Sequence, residues 1–179
     1  MPVTAEMVKE LRELSGAGVM DCKKTLEATG GDLKRAQEIL REKGLAVAAK
    51  KAERVARQGL VESYVHMGKI GALVELNCET DFVARTPEFK ELAHALAMQV
   101  VGAQPQCVKP EDIPAAVLEE QKRACGDNLE KFYAEVCLLK QVSIKDPSKT
   151  VQDMINEAIA KTGENIVLRR FARFELGVE

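Results

Sequence analysis

Leu60-Val61-Glu62-Ser63-Tyr64-Val65-His66, then Met67-Gly68-Lys69, then Ile70-Gly71-Ala72-Leu73-Val74-Glu75-Leu76-Asn77-Cys78, is two β-rich runs divided by a short glycine-bearing turn. That arrangement predicts a β-hairpin. The end of the chain offers a partner strand, since Ile166, Leu168, Ala172, Phe174 and Leu176 alternate onto one face with Arg170 as the exception. Three antiparallel strands follow as the economical sheet. Between the hairpin and the last strand the period is helical. Thr86-Pro87-Glu88 supplies a cap, a first-turn proline and an early acid, and Phe89, Leu92, Ala93, Leu96 and Val100 carry the apolar stripe behind it. A short helical pair is expected over 114–123 and 128–139, around Gly126-Asp127. A final helix begins at Thr150, with Asp153 placed to complete a capping box, and stops at Gly163.

The chain before the hairpin reads differently. Thr4 caps a first helix carrying Met7, Leu11 and Leu14, which Ser15-Gly16-Ala17-Gly18 breaks. A second helix covers Val19 to Ala28, and Asp32 caps a third whose apolar face is Leu33, Ala36, Ile39 and Leu40. Lys43-Gly44 is read as the stop of the third helix, and the Ala-rich, basic segment from Leu45 to Arg57 as a separate linker helix. The class is therefore α+β: a three-helix bundle at 1–44 with a thin core, a linker at 45–57 and a sheet-and-helix core at 58–179.

Of 179 residues, 46% are hydrophobic and 30% charged, an ordinary globular balance. No apolar run approaches the ~20 residues that span a bilayer, so no membrane association is expected. The start, Met1 to Glu6, lacks the basic and apolar stretches of a secretory signal, and a cytoplasmic protein is expected. Five scattered cysteines (Cys22, Cys78, Cys107, Cys125 and Cys137) and two histidines write no zinc framework, and reduced thiols suit that compartment. A net charge of −2 gives poor footing for general nucleic-acid binding. The charge is uneven: residues 1–57 hold 12 Lys+Arg against 9 Asp+Glu, the remainder 14 against 19. A mildly basic head on an acidic body suits docking to an acidic protein face.

Several constellations resemble chemistry without completing it. Gly18 to Thr25 ends in Lys24-Thr25 like a phosphate loop, but Lys23 stands where that motif needs glycine, and a helix rather than a strand precedes it. Cys78 neighbours Glu79 and Asp81, which would raise its pKa, so a buried structural thiol is expected. His66 and His94 have no acid or thiol at motif spacing, and Glu79 with Asp81 makes an incomplete cation site. What stands out is Asn77-Cys78-Glu79-Thr80-Asp81-Phe82-Val83-Ala84-Arg85, where a strand runs into a polar turn and then an apolar pair. On spacing alone Phe82 reads either as a core aromatic or as an anchor projecting from the sheet rim.

Glu75 to Arg85 resembles the central motif of the elongation factor Ts family. Leu11-Arg12 through Lys23-Lys24 is similar to that family's amino-terminal motif, and Ile166-Val167-Leu168-Arg169-Arg170-Phe171 with Arg173-Phe174-Glu175 to its last strand. The likeness covers nearly the whole chain. Ser15 and Thr25 stand where the family more often has Thr and Ala. Lys140, Val142 and Ser143 replace the more usual Glu, Pro and Phe, the 122–129 segment is shorter, and the second half-core of long members is absent.

The resemblance implies a protein that promotes nucleotide exchange on the GTPase elongation factor Tu, with no covalent chemistry and no cofactor. It implies a bundle similar in outline to the ubiquitin-associated fold, lying on the GTPase's nucleotide-binding domain. Thr80, Asp81, Phe82 and Val83 would form a loop entering near the GTPase's magnesium, with Arg12, Gly18, Val19 and Met20 as further partner contacts. It implies a homodimer as well, paired through the sheet of the last strand, whose odd face is expected to present Val167 and Phe171 among Arg169 and Arg173; the alternative is a monomer whose Phe171 packs under its own helices.

Overall fold

A computed structural model describes residues 3–126 and 128–178, with Cys125 described by its backbone alone. Helices α1 (Ala5–Ser15), α2 (Val19–Ala28) and α3 (Leu33–Lys51) precede strands β1 (Gln58–His66) and β2 (Ile70–Cys78). Then come α4 (Asp81–Ala84), α5 (Pro87–Ala103), α6 (Ala115–Cys125), α7 (Glu130–Val136), α8 (Val151–Thr162) and β3 (Val167–Glu175), with 3-10 turns at Pro110–Asp112 and Leu138–Lys140. The helical pair of the sequence reading is α6 and α7; Asp127 of its expected turn lies outside the described residues.

Local signals account for most boundaries. Thr4 accepts from the Met7 amide at 3.2 Å, Asp32 from Arg35 at 3.1 Å and Thr86 from Phe89 at 3.3 Å, each relieving a first-turn N–H that has no partner within its helix. Thr150 and Asp153 cap reciprocally, each accepting the other's amide at 3.1 Å. Gly163 ends α8 at φ 75°, a left-handed position that costs glycine little.

The sheet has the order β1-β2-β3, antiparallel throughout. Its inner face is carried by Leu60, Tyr64, Ile70, Ala72, Val74, Leu76, Cys78, Leu168 and Phe171, packed with α5, α8 and the second half of α3. All five stripe residues of α5 are buried. A smaller core of Leu11, Cys22, Leu26, Ala36 and Leu40 holds the three-helix bundle.

Two expectations are corrected. The third helix does not stop at Lys43-Gly44: α3 runs on to Lys51, so there is no separate linker helix, and the chain is not helical over 55–57. Glycine inside a helix costs about 1 kcal/mol relative to alanine, but here α3 crosses α8 at this point. A Cβ on Gly44 would stand 3.7 Å from that of Ala160. Val47 and Ala48, one turn on, pack into the main core. Tertiary burial outweighs the local stop signal.

The second correction concerns β3. Glu75 pairs with Arg170 but Leu76 with Leu168, leaving Arg169 as an extra, bulged residue. A one-residue bulge inverts the alternation beyond it. Phe171 therefore packs into the chain's own core, while Ala172 and Phe174 face outward with Val167 and Arg170. Arg170 remains the charged residue among Val167, Ala172 and Phe174, on the outward face, where its Nε donates to Glu75 at 2.7 Å.

Candidate functional site

Strand β2 delivers the chain to the sheet rim at Cys78, and two residues later Thr80 caps α4. The Thr80 hydroxyl accepts weakly from the Val83 amide at 3.4 Å. α4 is a single turn, too short to hold itself in water. Its burial is graded: Ala84 is buried, Val83 is half-buried against the main core, and Phe82 is 81% exposed. The ring is thus outside the core, held on a turn whose other apolar side chains anchor it. Asp81 pairs with Arg85 at 2.7 Å; both are solvated, and such a pair contributes less than about 1 kcal/mol.

The loop is braced from behind by the turn between α8 and β3. Glu164 accepts from the Glu79 amide at 3.1 Å and the Thr80 amide at 3.0 Å through one carboxylate oxygen, and from the Thr80 hydroxyl at 2.6 Å through the other. Glu79 in turn accepts from the Asn165 amide at 2.6 Å. Asn165, itself buried, donates its side-chain amide to the Arg54 carbonyl at 2.7 Å, and Lys51 donates to the Gly163 carbonyl. Sequence reading missed this brace, because its parts lie 84 to 113 residues apart and Glu164 belongs to no motif.

Beneath the loop the Cys78 thiol is fully buried and donates to the Thr80 carbonyl at 3.1 Å. Burial, aided by the Glu164 charge, pushes its pKa up to about 11. At neutral pH it is a thiol and a poor nucleophile, in keeping with a structural cysteine. Cys107 and Cys137, 30 residues apart, meet with sulfurs 3.5 Å apart as free thiols. Burial raises both, Cys137 to about 12.

The other predicted contacts lie in the bundle. Arg12, on the last turn of α1, is exposed, as are Val19 and Met20 at the start of α2. Arg12, Gly18 and Val19 line one cleft between the α1–α2 turn, α3 and α8; Met20 stands beside Val19 outside its lining. The eight residues therefore form two groups on separate elements. Lys23 and Lys24 lie on α2 with Thr25 buried beneath them, a geometry with no phosphate cradle. His94 meets Glu62 at 3.0 Å, a partner 32 residues away that spacing did not suggest, and His66 meets the Tyr64 hydroxyl at 3.1 Å. Among the described residues no group of three or more His, Cys, Asp or Glu is placed to hold a metal ion, and no helix is long and apolar enough to cross a membrane.

A family model described as "Elongation factor TS" matches residues 4–128 and 124–177. The two matches overlap over 124–128, at the α6–α7 connection. The chain is 51% identical to "Elongation factor Ts" of Thermodesulfovibrio yellowstonii, covering 99% of this chain and 98% of that protein. It is 54% identical to the protein of that name from Carboxydothermus hydrogenoformans, covering 98% and 89%. It is 50% identical to that from Thermotoga petrophila, covering 99% and 98%. A bundle, hairpin, rim loop and last strand matched in order over almost the whole length leave one assignment: the chain belongs to the elongation factor Ts family of translation elongation factors.

Proposed function

We propose that this protein promotes GDP release and GTP exchange on elongation factor Tu by inserting the Thr80-Asp81-Phe82-Val83 loop near the GTPase's magnesium and phosphate site. The observation that carries this reading is Phe82, a large aromatic ring 81% exposed on a single helical turn whose neighbours are braced. Aromatic side chains presented in this way are over-represented among the few residues that carry most of the binding energy of an interface. A GTPase holds GDP largely through its phosphate loop and the bridging magnesium. A wedge that displaces those elements weakens nucleotide binding without touching the base.

Linkage supplies the rest. If the factor binds the empty GTPase better than the loaded one, nucleotide binds the complex worse by the same ratio. The direction of exchange is left to the nucleotide pool, and no acid, base, nucleophile or cofactor of this chain takes part. Gel filtration tests the linkage: the two proteins should elute as one complex without nucleotide and separate in excess GDP. Separate elution without nucleotide would refute it.

In the same reading residues 1–44 form a ubiquitin-associated-like docking unit, 45–57 its connection and 58–179 the core, all acting in the cytoplasm without direct nucleic-acid contact. Arg12, Gly18, Val19 and Met20 make the bundle's contact. Arg12→Glu should leave thermal stability unchanged, because the side chain is exposed, and should weaken affinity for the GTPase most at low ionic strength. Equal affinity of mutant and parent at every salt concentration would remove Arg12 from the contact.

The outward sheet face supports a homodimer. Val61 (66% exposed), Val65, Leu73, Val167 and Phe174 (68% exposed) share it across all three strands. This face, mostly apolar and crossed by the Arg170–Glu75 ion pair, suits an isologous pairing of two copies. Light scattering at micromolar concentration under reducing conditions should give the mass of two chains, and Phe174→Glu the mass of one. A monomer mass for the parent protein would refute the pairing.

A further inference from the structure

We propose that Glu164 is a positioning residue for nucleotide exchange: its carboxylate, brought across from the α8–β3 turn, sets the presentation of Phe82 and thereby the rate of nucleotide release. The proposal rests on the reading of Phe82 given above. It starts from the number and kind of groups that Glu164 receives. Three donors converge on its two oxygens, at 3.1, 3.0 and 2.6 Å, and all three belong to Glu79 or Thr80. β2 has ended at Cys78, so the Glu79 and Thr80 amides have left the sheet ladder. Glu164 receives them where no strand does.

The third donor matters most for function. Thr80 is the N-cap of α4, and its hydroxyl has one proton and two lone pairs. The proton goes to Glu164 at 2.6 Å, which fixes the rotamer in which the oxygen faces the Val83 amide at 3.4 Å. Glu164 thus orients the cap, the cap starts the turn, and Phe82 is the second residue of that turn. A four-residue helix cannot supply this order by itself.

The brace is also connected to the rest of the fold. The Asn165 amide donates to the Glu79 carboxylate at 2.6 Å, so the two turns exchange hydrogen bonds in both directions. The Asn165 side chain holds the Arg54 carbonyl at 2.7 Å and that of Ala52 at 3.4 Å, just beyond the end of α3. The turn at 163–165 therefore joins the Phe82 loop to the helix that carries the bundle.

Substitutions separate positioning from mere stability. In Glu164→Gln the amide oxygen can take both backbone N–H groups and the amide nitrogen can donate to the Thr80 hydroxyl, so geometry survives although charge is lost. Glu164→Ala removes every acceptor. Thr80→Val removes the hydroxyl and keeps the shape.

The test is release of a fluorescent GDP analogue from elongation factor Tu, measured over a range of concentrations of the full-length factor, with amide hydrogen exchange on the factor alone. Glu164→Ala should lower the maximal release rate about ten-fold, as loss of charge-assisted hydrogen bonds does. The half-saturating concentration should move by less than about three-fold, because the bundle contact is untouched. Glu164→Gln should recover the parent rate to within about three-fold, Thr80→Val should fall between, and Glu164→Ala should slow the Phe82→Ala protein no further. Hydrogen exchange at the Glu79 and Thr80 amides should quicken in Glu164→Ala.

A parental rate for Glu164→Ala beside a slow Phe82→Ala would overturn the positioning role and leave the Phe82 reading standing. A parental rate for Phe82→Ala would overturn that reading and this proposal with it. A loss that adds to that of Phe82→Ala, or that glutamine does not restore, would mark Glu164 as structural only. If Glu164→Ala does not fold, Thr80→Val and Glu164→Gln decide: a parental rate for Thr80→Val, or a slow Glu164→Gln, overturns the proposal.

Discussion

Phe82→Ala should slow factor-promoted nucleotide release by roughly ten- to hundred-fold while leaving the protein's own stability within about 0.5 kcal/mol of the parent. The asymmetry follows from burial. A ring that is 81% exposed contributes almost nothing to its own core, so truncating it leaves no cavity. Burying such a ring in a partner is worth about 1.5–3 kcal/mol, and in the proposed mechanism that energy drives displacement of the magnesium and phosphate contacts. Val83 and Ala84, which seat the turn, are untouched. Thermal denaturation and the release assay on the same sample check both halves. Marked destabilisation would mean that the ring supports the fold, and full exchange activity would mean that another group does the displacing.

Gly59→Ala should produce the largest stability loss among single surface-strand substitutions, about 3 kcal/mol or more. Gly59 sits at φ 143° opposite Asn77 in the β1–β2 ladder. A Cβ there would stand 2.1 Å from the Leu76 carbonyl oxygen and 2.8 Å from the Asn77 Cα. Both are backbone atoms of the central strand and cannot swing aside as a side-chain tip would, so the strands must part or twist. The consequence reaches the site, because Asn77 is three residues before Thr80 and any shift of β2 moves the end from which α4 hangs. Urea denaturation should show a lower midpoint with an unchanged slope. An unchanged midpoint would mean that the β1–β2 pairing at this position tolerates a side chain.

How far the chain could be read without its structure depended on whether a signal was local. The caps at Thr4, Asp32, Thr86 and Thr150 each involve residues three apart, and each was legible. The buried stripe of α5 was legible because helical period and burial coincide there. Gly44 misled because a local stop signal met a tertiary contact, the crossing of α3 on α8. The faces of β3 were misassigned because a bulge at Arg169 is a property of pairing between strands, and nothing within β3 alone announces it.

The site divides in the same way. Spacing left Phe82 between core and rim, and only the graded burial of Phe82, Val83 and Ala84 on one turn separates the two. Glu164 was invisible because its partners are 84 and 85 residues away and its own surroundings contain only a helix stop. The chemistry that failed did so on visible grounds: no glycine before Lys24, carboxylates beside Cys78.

The central claim is exchange, and release of a fluorescent GDP analogue from elongation factor Tu, chased with excess unlabelled GTP, tests it most directly. The account predicts that this protein accelerates release at concentrations well below that of the GTPase, since each molecule turns over, and that acceleration saturates as the factor is raised. A release rate that stays at its spontaneous value at every concentration of the factor would contradict it.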